Sequence, residues 1–151
     1  MIDDELRPDD NFIVIISGAK GYLISALEEQ FRMADIPAVW SGSMSELEKL
    51  DSNQILGYLM FLEENLLADN QLQVYIRDRA TEEGLPLFVL GNDQEIKEIK
   101  NVIPAHLIQA EYQRPVNVKD TVANIDKYLA DHEKVEQKII LAVDDSAVML
   151  N

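Results

Sequence analysis

Short apolar runs alternate with longer amphipathic segments along most of the chain. Five runs predict buried strands, at residues 12–16, 36–40, 55–62, 86–90 and 106–110. The segments between them carry apolar residues at helical spacing and predict helices over 22–34, 43–50, 66–83, 93–102 and from 118 to at least 129. Strands that alternate with helices form a parallel sheet with helices on both faces. Residues 11–132 are therefore predicted to form one α/β domain, after a polar lead-in over residues 1–10.

A sixth apolar run occupies residues 139–143, and it stops at two adjacent carboxylates, Asp144 and Asp145. Ser146 follows them and is placed to cap a helix. Open α/β sheets bind ligands at the C-terminal ends of their strands, and paired carboxylates there suit a hard cation such as Mg²⁺. The pattern predicts a buried strand that leads into a helix, after a charged linker over 133–137.

The same pattern occurs near the start of the chain. A shift of 127 positions (144 − 17) places Asp144 on Ser17 and Asp145 on Gly18, and it aligns the two preceding apolar runs. Internal similarity of this kind indicates two related units. The first unit carries a hydroxyl and a glycine in place of the two acids.

Composition limits the function classes. The 151 residues carry a formal net charge of −15 and include no cysteine. Nucleic acids and anionic membranes would repel such a surface, and thiol chemistry is excluded. No apolar run is long enough to cross a membrane and the start of the chain is acidic, so a cytoplasmic location is expected.

The final stretch, KIILAVDDSAVMLN at residues 138–151, resembles the start of a bacterial response-regulator receiver domain. Receiver domains are the phosphoacceptor modules of two-component signalling. The resemblance implies a (βα)5 flavodoxin-like fold for residues 11–132, a doubly wound parallel sheet with strand order 2-1-3-4-5. It also identifies residues 138–151 as the truncated start of a second receiver domain. In a complete second domain, Asp144 and Asp145 would hold Mg²⁺, whereas no cofactor is expected for this fragment.

The resemblance assigns positions of the first domain to the receiver phosphorylation site. Ser17 and Gly18 stand where the family has its acidic pair. Glu63 stands where the phosphoacceptor aspartate belongs, although a register shift would put Leu62 or Glu64 there. Such a site lacks the carboxylates that hold Mg²⁺ in the family.

Two further positions follow from the same resemblance. Gly91 takes the place of the Ser or Thr after the fourth strand, and Arg114 takes the place of the Lys after the fifth. The Arg114–Pro115 peptide bond is predicted to be cis or strained, because the family's corresponding bond is often cis and proline lowers the cost of that isomer. Arg114 is predicted to form a salt bridge with Glu63 across the former phosphate pocket.

These positions predict a non-phosphorylatable receiver-like signalling module that acts by protein–protein contact and is not an enzyme. The expected partners are a histidine kinase, an adjoining receiver or output domain, or a second copy of the chain through residues 138–151. In particular, residues 139–143 are expected to pair with a sheet edge or another copy, because a lone apolar strand leaves its backbone unpaired. Two alternatives stay open: a phosphate-accepting receiver with a divergent Mg-dependent site, and a flavodoxin-like small-molecule binder around Gly18 and Gly91.

Overall fold

One parallel sheet forms the centre of the protein. A computed structural model describes the backbone of residues 11–145 and the side chains of residues 11–131. The sheet has five strands in the order β2-β1-β3-β4-β5. The strands are β1 (Phe12–Ile16), β2 (Ala38–Ser41), β3 (Ile55–Phe61), β4 (Leu87–Gly91) and β5 (Ile108–Gln113). The predicted flavodoxin-like fold class and the strand order 2-1-3-4-5 are confirmed.

Six α-helices flank the sheet in the described part of the chain. They are α1 (Tyr22–Met33), α2 (Met44–Glu48), α3 (Glu64–Leu67), α4 (Asn70–Glu83), α5 (Asp93–Ile99) and α6 (Val118–Asp145). Helices α1 and α6 contribute to one apolar cluster and cover one face, while α2 to α5 contribute to the other cluster. The fifth strand begins later than predicted, because Ala105–Leu107 forms a 3-10 turn before it.

The inner strands are apolar without alternation because both of their faces are covered. Every residue of β1 and β4 is buried. Along β1, Ile13 and Ile15 face the cluster that contains Phe31 of α1, whereas Val14 and Ile16 face the opposite cluster. Continuous apolar runs of this kind are typical of parallel sheets between two helical layers. The edge strand β5 alternates between half-buried and exposed residues instead.

The helix predicted over residues 66–83 is divided into α3 and α4. Gln73 is 4% exposed, and its side-chain amide donates to the carbonyl oxygens of Leu66 and Leu67 at 2.9 and 3.0 Å. The Asp69 carboxylate accepts from the Leu72 amide at 3.1 Å and caps α4. These hydrogen bonds give partners to two carbonyl groups at the end of α3 and to one amide at the start of α4. The break between the helices would otherwise leave these groups unpaired. The periodic apolar pattern did not reveal this break.

The end of the described backbone corrects one prediction. Helix α6 continues through residues 133–137 and 139–143 to Asp145, so the predicted strand at 139–143 and its pairing with a sheet edge are wrong. A helix pairs its own backbone groups, whereas a buried parallel strand needs neighbours on both sides. Asp144 and Asp145 lie in the last turn of α6, and Ser146 lies outside the described residues. That residues 138–151 open a second domain stays a prediction.

One buried tyrosine lies in the half of the core near the N-terminal ends of the strands. Tyr58 in β3 is 1% exposed, and burial, followed by the negative charge of Glu83, raises the pKa of its hydroxyl to about 12. Glu83 forms an ion pair with Arg79, with 2.7 Å between Glu83 Oε2 and Arg79 Nη2. The charged end of α4 therefore packs close to this tyrosine.

A cleft of about 500 Å³ opens at the same end of the sheet. Its lining includes Leu85 and Pro86, which precede β4, and His106, which precedes β5. Gly84, which ends α4 with a φ of 65°, and Tyr128 of α6 also line it. The cleft lies at the N-terminal ends of the strands, opposite the edge where the sequence places the candidate site.

Candidate functional site

The C-terminal ends of the strands bring the predicted site positions to one edge of the sheet. Parallel strands that share a direction end on the same side, which is where open α/β sheets bind ligands. Ser17 and Gly18 follow β1, and Glu63 lies two residues after β3. Gly91 ends β4, and Arg114 follows β5 directly. These residues form two groups, one between β1 and β3 and one between β3, β4 and β5.

The Ser17 hydroxyl is used entirely within the protein. Ser17 is fully buried, and its Oγ donates to the Ala19 carbonyl oxygen at 2.7 Å. The same oxygen accepts from the Trp40 indole nitrogen at 3.0 Å. The indole also lies against Gly42, where an added Cβ would come within 2.7 Å of the ring. Trp40 is thus a site residue that the sequence reasoning missed, since nothing in the sequence placed it beside Ser17.

Gly18 lies directly against the loop that follows β3. Its backbone amide donates to Glu63 Oε2, while Glu63 Oε1 accepts from the Asn65 amide at 2.9 Å. A Cβ added at Gly18 would lie 2.3 Å from the Cβ of Asn65. Real Cβ atoms do not come that close to another carbon, so this backbone accommodates only glycine. An aspartate at position 18, as in the family's acidic pair, does not fit this arrangement.

Leu62 fills the end of β3 beside Gly91. Its amide donates to the Leu90 carbonyl oxygen at 2.8 Å, which continues the pairing of β3 with β4, and its side chain is fully buried. A Cβ added at Gly91 would lie 3.0 Å from Leu62 Cβ and 2.9 Å from Glu95 Oε1. A serine or threonine at position 91 would therefore displace both neighbours.

Arg114 does not pair with Glu63, and that prediction is wrong. Its Nη2 forms an ion pair with Glu95 Oε1 and donates to the Leu62 carbonyl oxygen at 3.2 Å. The guanidinium carbon lies 5.3 Å from the centre of the Phe61 ring. Glu63 is already held by two backbone amides, whereas Glu95 stands in the first turn of α5 within reach of Arg114. The predicted cis Arg114–Pro115 bond is confirmed.

Glu95 links the cap of α5 to Arg114, the residue that follows β5. It forms a capping box with Asn92, in which each side chain accepts from the other residue's amide at 2.8 Å. The same Oε1 atom that accepts from Asn92 also pairs with Arg114. The Asn92–Glu95 spacing is a capping-box signal that the sequence carried. It identifies the cap, but only the fold shows that Arg114 lies beside it.

No group of three or more His, Asp or Glu side chains forms a metal site among the side chains that the structure describes. The side chains of Asp144 and Asp145 lie outside that range. None of the helices in the described range combines the length and the apolar character that a membrane-spanning segment requires.

Solved structures match this architecture, whereas no protein-family model and no curated protein sequence matches the chain. A putative response regulator from Chloroflexus aurantiacus J-10-fl aligns with a TM-score of 0.61 and 16% identity, over 80% of this chain and 98% of that one. A CheY-like response-regulator receiver domain from Methanospirillum hungatei JF-1 aligns with a TM-score of 0.60 and 14% identity, over 83% and 98%. The chain has the receiver fold.

The receiver fold is shared with a structure described as an adenylate cyclase from Rhodopirellula baltica. It aligns with a TM-score of 0.66 and 12% identity, over 87% of this chain and 96% of that one. At such identities the likeness concerns the fold alone, because one fold hosts many functions. Function depends on the residues at the strand ends.

Proposed function

We propose that residues 11–132 form a receiver-like signalling module that does not accept a phosphoryl group and acts by protein–protein contact in a two-component response regulator. One observation carries this proposal: the C-terminal edge of the sheet is filled by the chain's own side chains. Glu63 is bonded to the Gly18 amide, and Leu62 is buried beside Gly91. The module is not an enzyme under this proposal.

The chemistry of phosphoryl transfer supports the proposal. An aspartyl phosphate forms when a carboxylate attacks a phosphoryl group whose charge a metal ion neutralises. The residues at this edge do not fit Mg²⁺, because Ser17 uses its hydroxyl internally and Gly18 has no room for a side chain. Glu63, the carboxylate at the end of β3, already accepts from two amides.

The small-molecule alternative is less well supported by the same geometry. A single methyl group at Gly18 or Gly91 would already collide with neighbouring side chains. A flavin or nucleotide at this edge would have to displace Leu62 or Glu63 first. No observation favours that displacement.

The partners we propose are proteins: a histidine kinase, an adjoining receiver or output domain, or a second copy of the chain through residues 138–151. A formal net charge of −15 favours basic partner surfaces and disfavours nucleic acid. In a complete second receiver domain, Asp144 and Asp145 would bind Mg²⁺, and that domain would take the phosphoryl group. The first domain would then modulate it by contact.

The experiment treats the full chain with Mg²⁺ and beryllofluoride, and separately with Mg²⁺ and acetyl phosphate. Amide chemical shifts of residues 62–65 and the fluorescence of Trp40, the single tryptophan, are expected to stay unchanged. A phosphate-accepting receiver in the same buffers serves as the positive control. Shifts at Glu63, or a mass gain of one phosphoryl group on the protein, would refute the proposal in favour of the phosphate-accepting alternative.

A second measurement addresses the small-molecule alternative. The melting temperature of the full chain is recorded with adenine nucleotides, guanine nucleotides and flavin mononucleotide. Ligands that bind only the folded state raise the melting temperature, by an amount that grows with the logarithm of ligand concentration over Kd. The proposal expects no rise for any of these compounds, and a saturable rise would support the flavodoxin-like binder instead.

A further inference from the structure

The Glu63 side chain bridges two loops that are far apart in the sequence. One carboxylate oxygen accepts from the amide of Gly18, 45 residues earlier, in the loop between β1 and α1. The other oxygen accepts from the amide of Asn65, at the start of α3. A single carboxylate thereby joins the ends of β1 and β3.

In the described part of the chain, the Gly18 amide donates its hydrogen bond to the Glu63 carboxylate. Gly18 is exposed as a residue, and the bonding partner of its amide is Glu63. The two loops approach so closely that Gly18 lies against the Cβ of Asn65. Hydrogen bonds in which the acceptor is charged are stronger than neutral ones, so the carboxylate is a stronger partner than water or an amide oxygen.

The Glu63 bridge lies where the order of the strands reverses. In the order β2-β1-β3-β4-β5, the chain reverses direction across the sheet between β1 and β3. Open α/β sheets bind their ligands in the crevice at this reversal. Here a side chain of the protein spans the crevice, in the place where such sheets accept an external anion or metal-bound group.

We infer that Glu63 is a conformational latch: its carboxylate acts as an internal anionic ligand that holds the β1–α1 and β3–α3 loops closed over the crevice. The inference deepens the proposed function and rests on it, because it explains how the edge keeps one arrangement without a phosphoryl group. It also predicts which class of ligand would replace the Glu63 side chain in a variant that lacks it. Once the Glu63 carboxylate is removed, the amides of Gly18 and Asn65 accept a small free carboxylate.

The test measures hydrogen exchange of the Gly18 amide by NMR in the full chain, without Mg²⁺ or phosphoryl donor. Glu63→Ala removes the latch, and Glu64→Ala is the matched control because Glu64 is an adjacent, exposed glutamate. Loss of a charge-assisted hydrogen bond is expected to accelerate Gly18 exchange by about tenfold or more in Glu63→Ala. The Glu64→Ala protein is expected to match the wild type. Equal Gly18 exchange in Glu63→Ala and the wild type would overturn the latch.

Addition of sodium formate supplies the missing group. Formate is expected to slow Gly18 exchange again in Glu63→Ala and to leave the wild type unchanged, with sodium chloride at equal ionic strength as the control. The absence of any formate response would overturn the ligand class. If Glu63→Ala does not fold, Glu63→Gln decides, since it keeps the shape and loses the charge: faster Gly18 exchange supports the latch and unchanged exchange overturns it.

The outcome is separable from that of the proposed function. A wild-type chain that gains a phosphoryl group would refute the proposed function, whatever Gly18 exchange shows. Unchanged Gly18 exchange in both Glu63 variants would refute the latch, even where beryllofluoride has no effect on the wild type.

Discussion

The two ends of the sheet differ in how the chain fills them. At the C-terminal ends of the strands, Leu62 and Glu63 occupy the space beside Gly91 and Gly18. At the N-terminal ends, a cleft of about 500 Å³ stays open in front of β4 and β5. Open α/β sheets bind their ligands at the first of these ends. The fold alone therefore does not determine at which end of the sheet a cleft lies open.

The closed end is filled in two physically different ways. Between β1 and β3 the contact is polar, because a carboxylate accepts from two backbone amides. Between β3 and β4 it is apolar, because Leu62 packs against a glycine. Arg114 then joins β5 to the second contact, through its ion pair with Glu95 and its hydrogen bond to the Leu62 carbonyl oxygen. Neither contact leaves room for an added Cβ, whereas only the polar one depends on a charge, so loss of the Glu63 carboxylate should affect the first half alone.

The largest effect is expected for Gly18→Ala, with Gly21→Ala as the matched control. The added methyl at position 18 would lie 2.3 Å from Asn65 Cβ, whereas nothing lies within 4 Å of one at position 21. We expect Gly18→Ala to lower the free energy of unfolding by about 3 kcal/mol through overpacking. Gly21→Ala should cost less than about 1 kcal/mol, the preference for glycine over alanine at a helix N-cap. Urea unfolding measures both, and equal losses would contradict the closed edge.

The next effect is expected for Gly91→Ser, which returns a hydroxyl to the family's Ser/Thr position. Its Cβ would meet Leu62 and Glu95, so we expect a loss of about 2 kcal/mol. Leu62→Ala keeps the Leu62 Cβ but removes Cδ1, which would lie 3.2 Å from the added Cβ. In a double-mutant cycle, the loss in Gly91→Ser/Leu62→Ala should therefore be smaller than the sum of the two single losses, by about 1 kcal/mol. Additive losses would show that the Leu62 side chain beyond Cβ does not crowd the space beside Gly91.

At the other end, Tyr58 predicts an alkaline loss of stability. Its pKa is raised to about 12 in the folded protein, against 10.0 for an unperturbed tyrosine. The unfolded chain therefore releases this proton first, so the stabilisation is complete below pH 10 and is lost as the pH rises through 12. At pH 11 the loss from this group is about 1.4 kcal/mol relative to pH 8.

Tyr58→Phe isolates that contribution. The variant should lose less unfolding free energy than the wild type between pH 8 and pH 11, by the amount assigned to the hydroxyl. Tyr22→Phe is the control, because Tyr22 is an exposed tyrosine of α1 and is not among the groups that shift the pKa of Tyr58. Parallel stability curves for wild type and Tyr58→Phe would contradict the assignment.

The smallest effect is expected in the open cleft. Gln109 lines the cleft and is exposed, so Gln109→Ala should change the free energy of unfolding by less than about 0.5 kcal/mol. The contrast with Gly18→Ala compares the open end with the closed one directly. A loss above about 1 kcal/mol in Gln109→Ala would show that the cleft is packed more tightly than its geometry indicates.

The sequence by itself determined the elements of the fold. The apolar runs at β1, β3 and β4 are continuous because these strands are buried on both faces, and that property depends on residue type alone. The receiver resemblance added the strand order and the cis bond between Arg114 and Pro115, and both are confirmed. It also placed the five site positions at strand ends.

Only the tertiary structure decided which groups meet at those ends. Arg114 had two acids within plausible reach, and the choice of Glu95 over Glu63 depends on distances that sequence spacing does not contain. The break between α3 and α4 rests on Gln73, whose role appears only once its amide reaches the end of α3. The apolar residues 139–143 suit a strand or a helix, and periodicity cannot separate the two over so short a run. The order of apolar residues along the chain determines which segments are buried. Hydrogen-bond and ion-pair partners depend instead on distances that exist only in the folded protein.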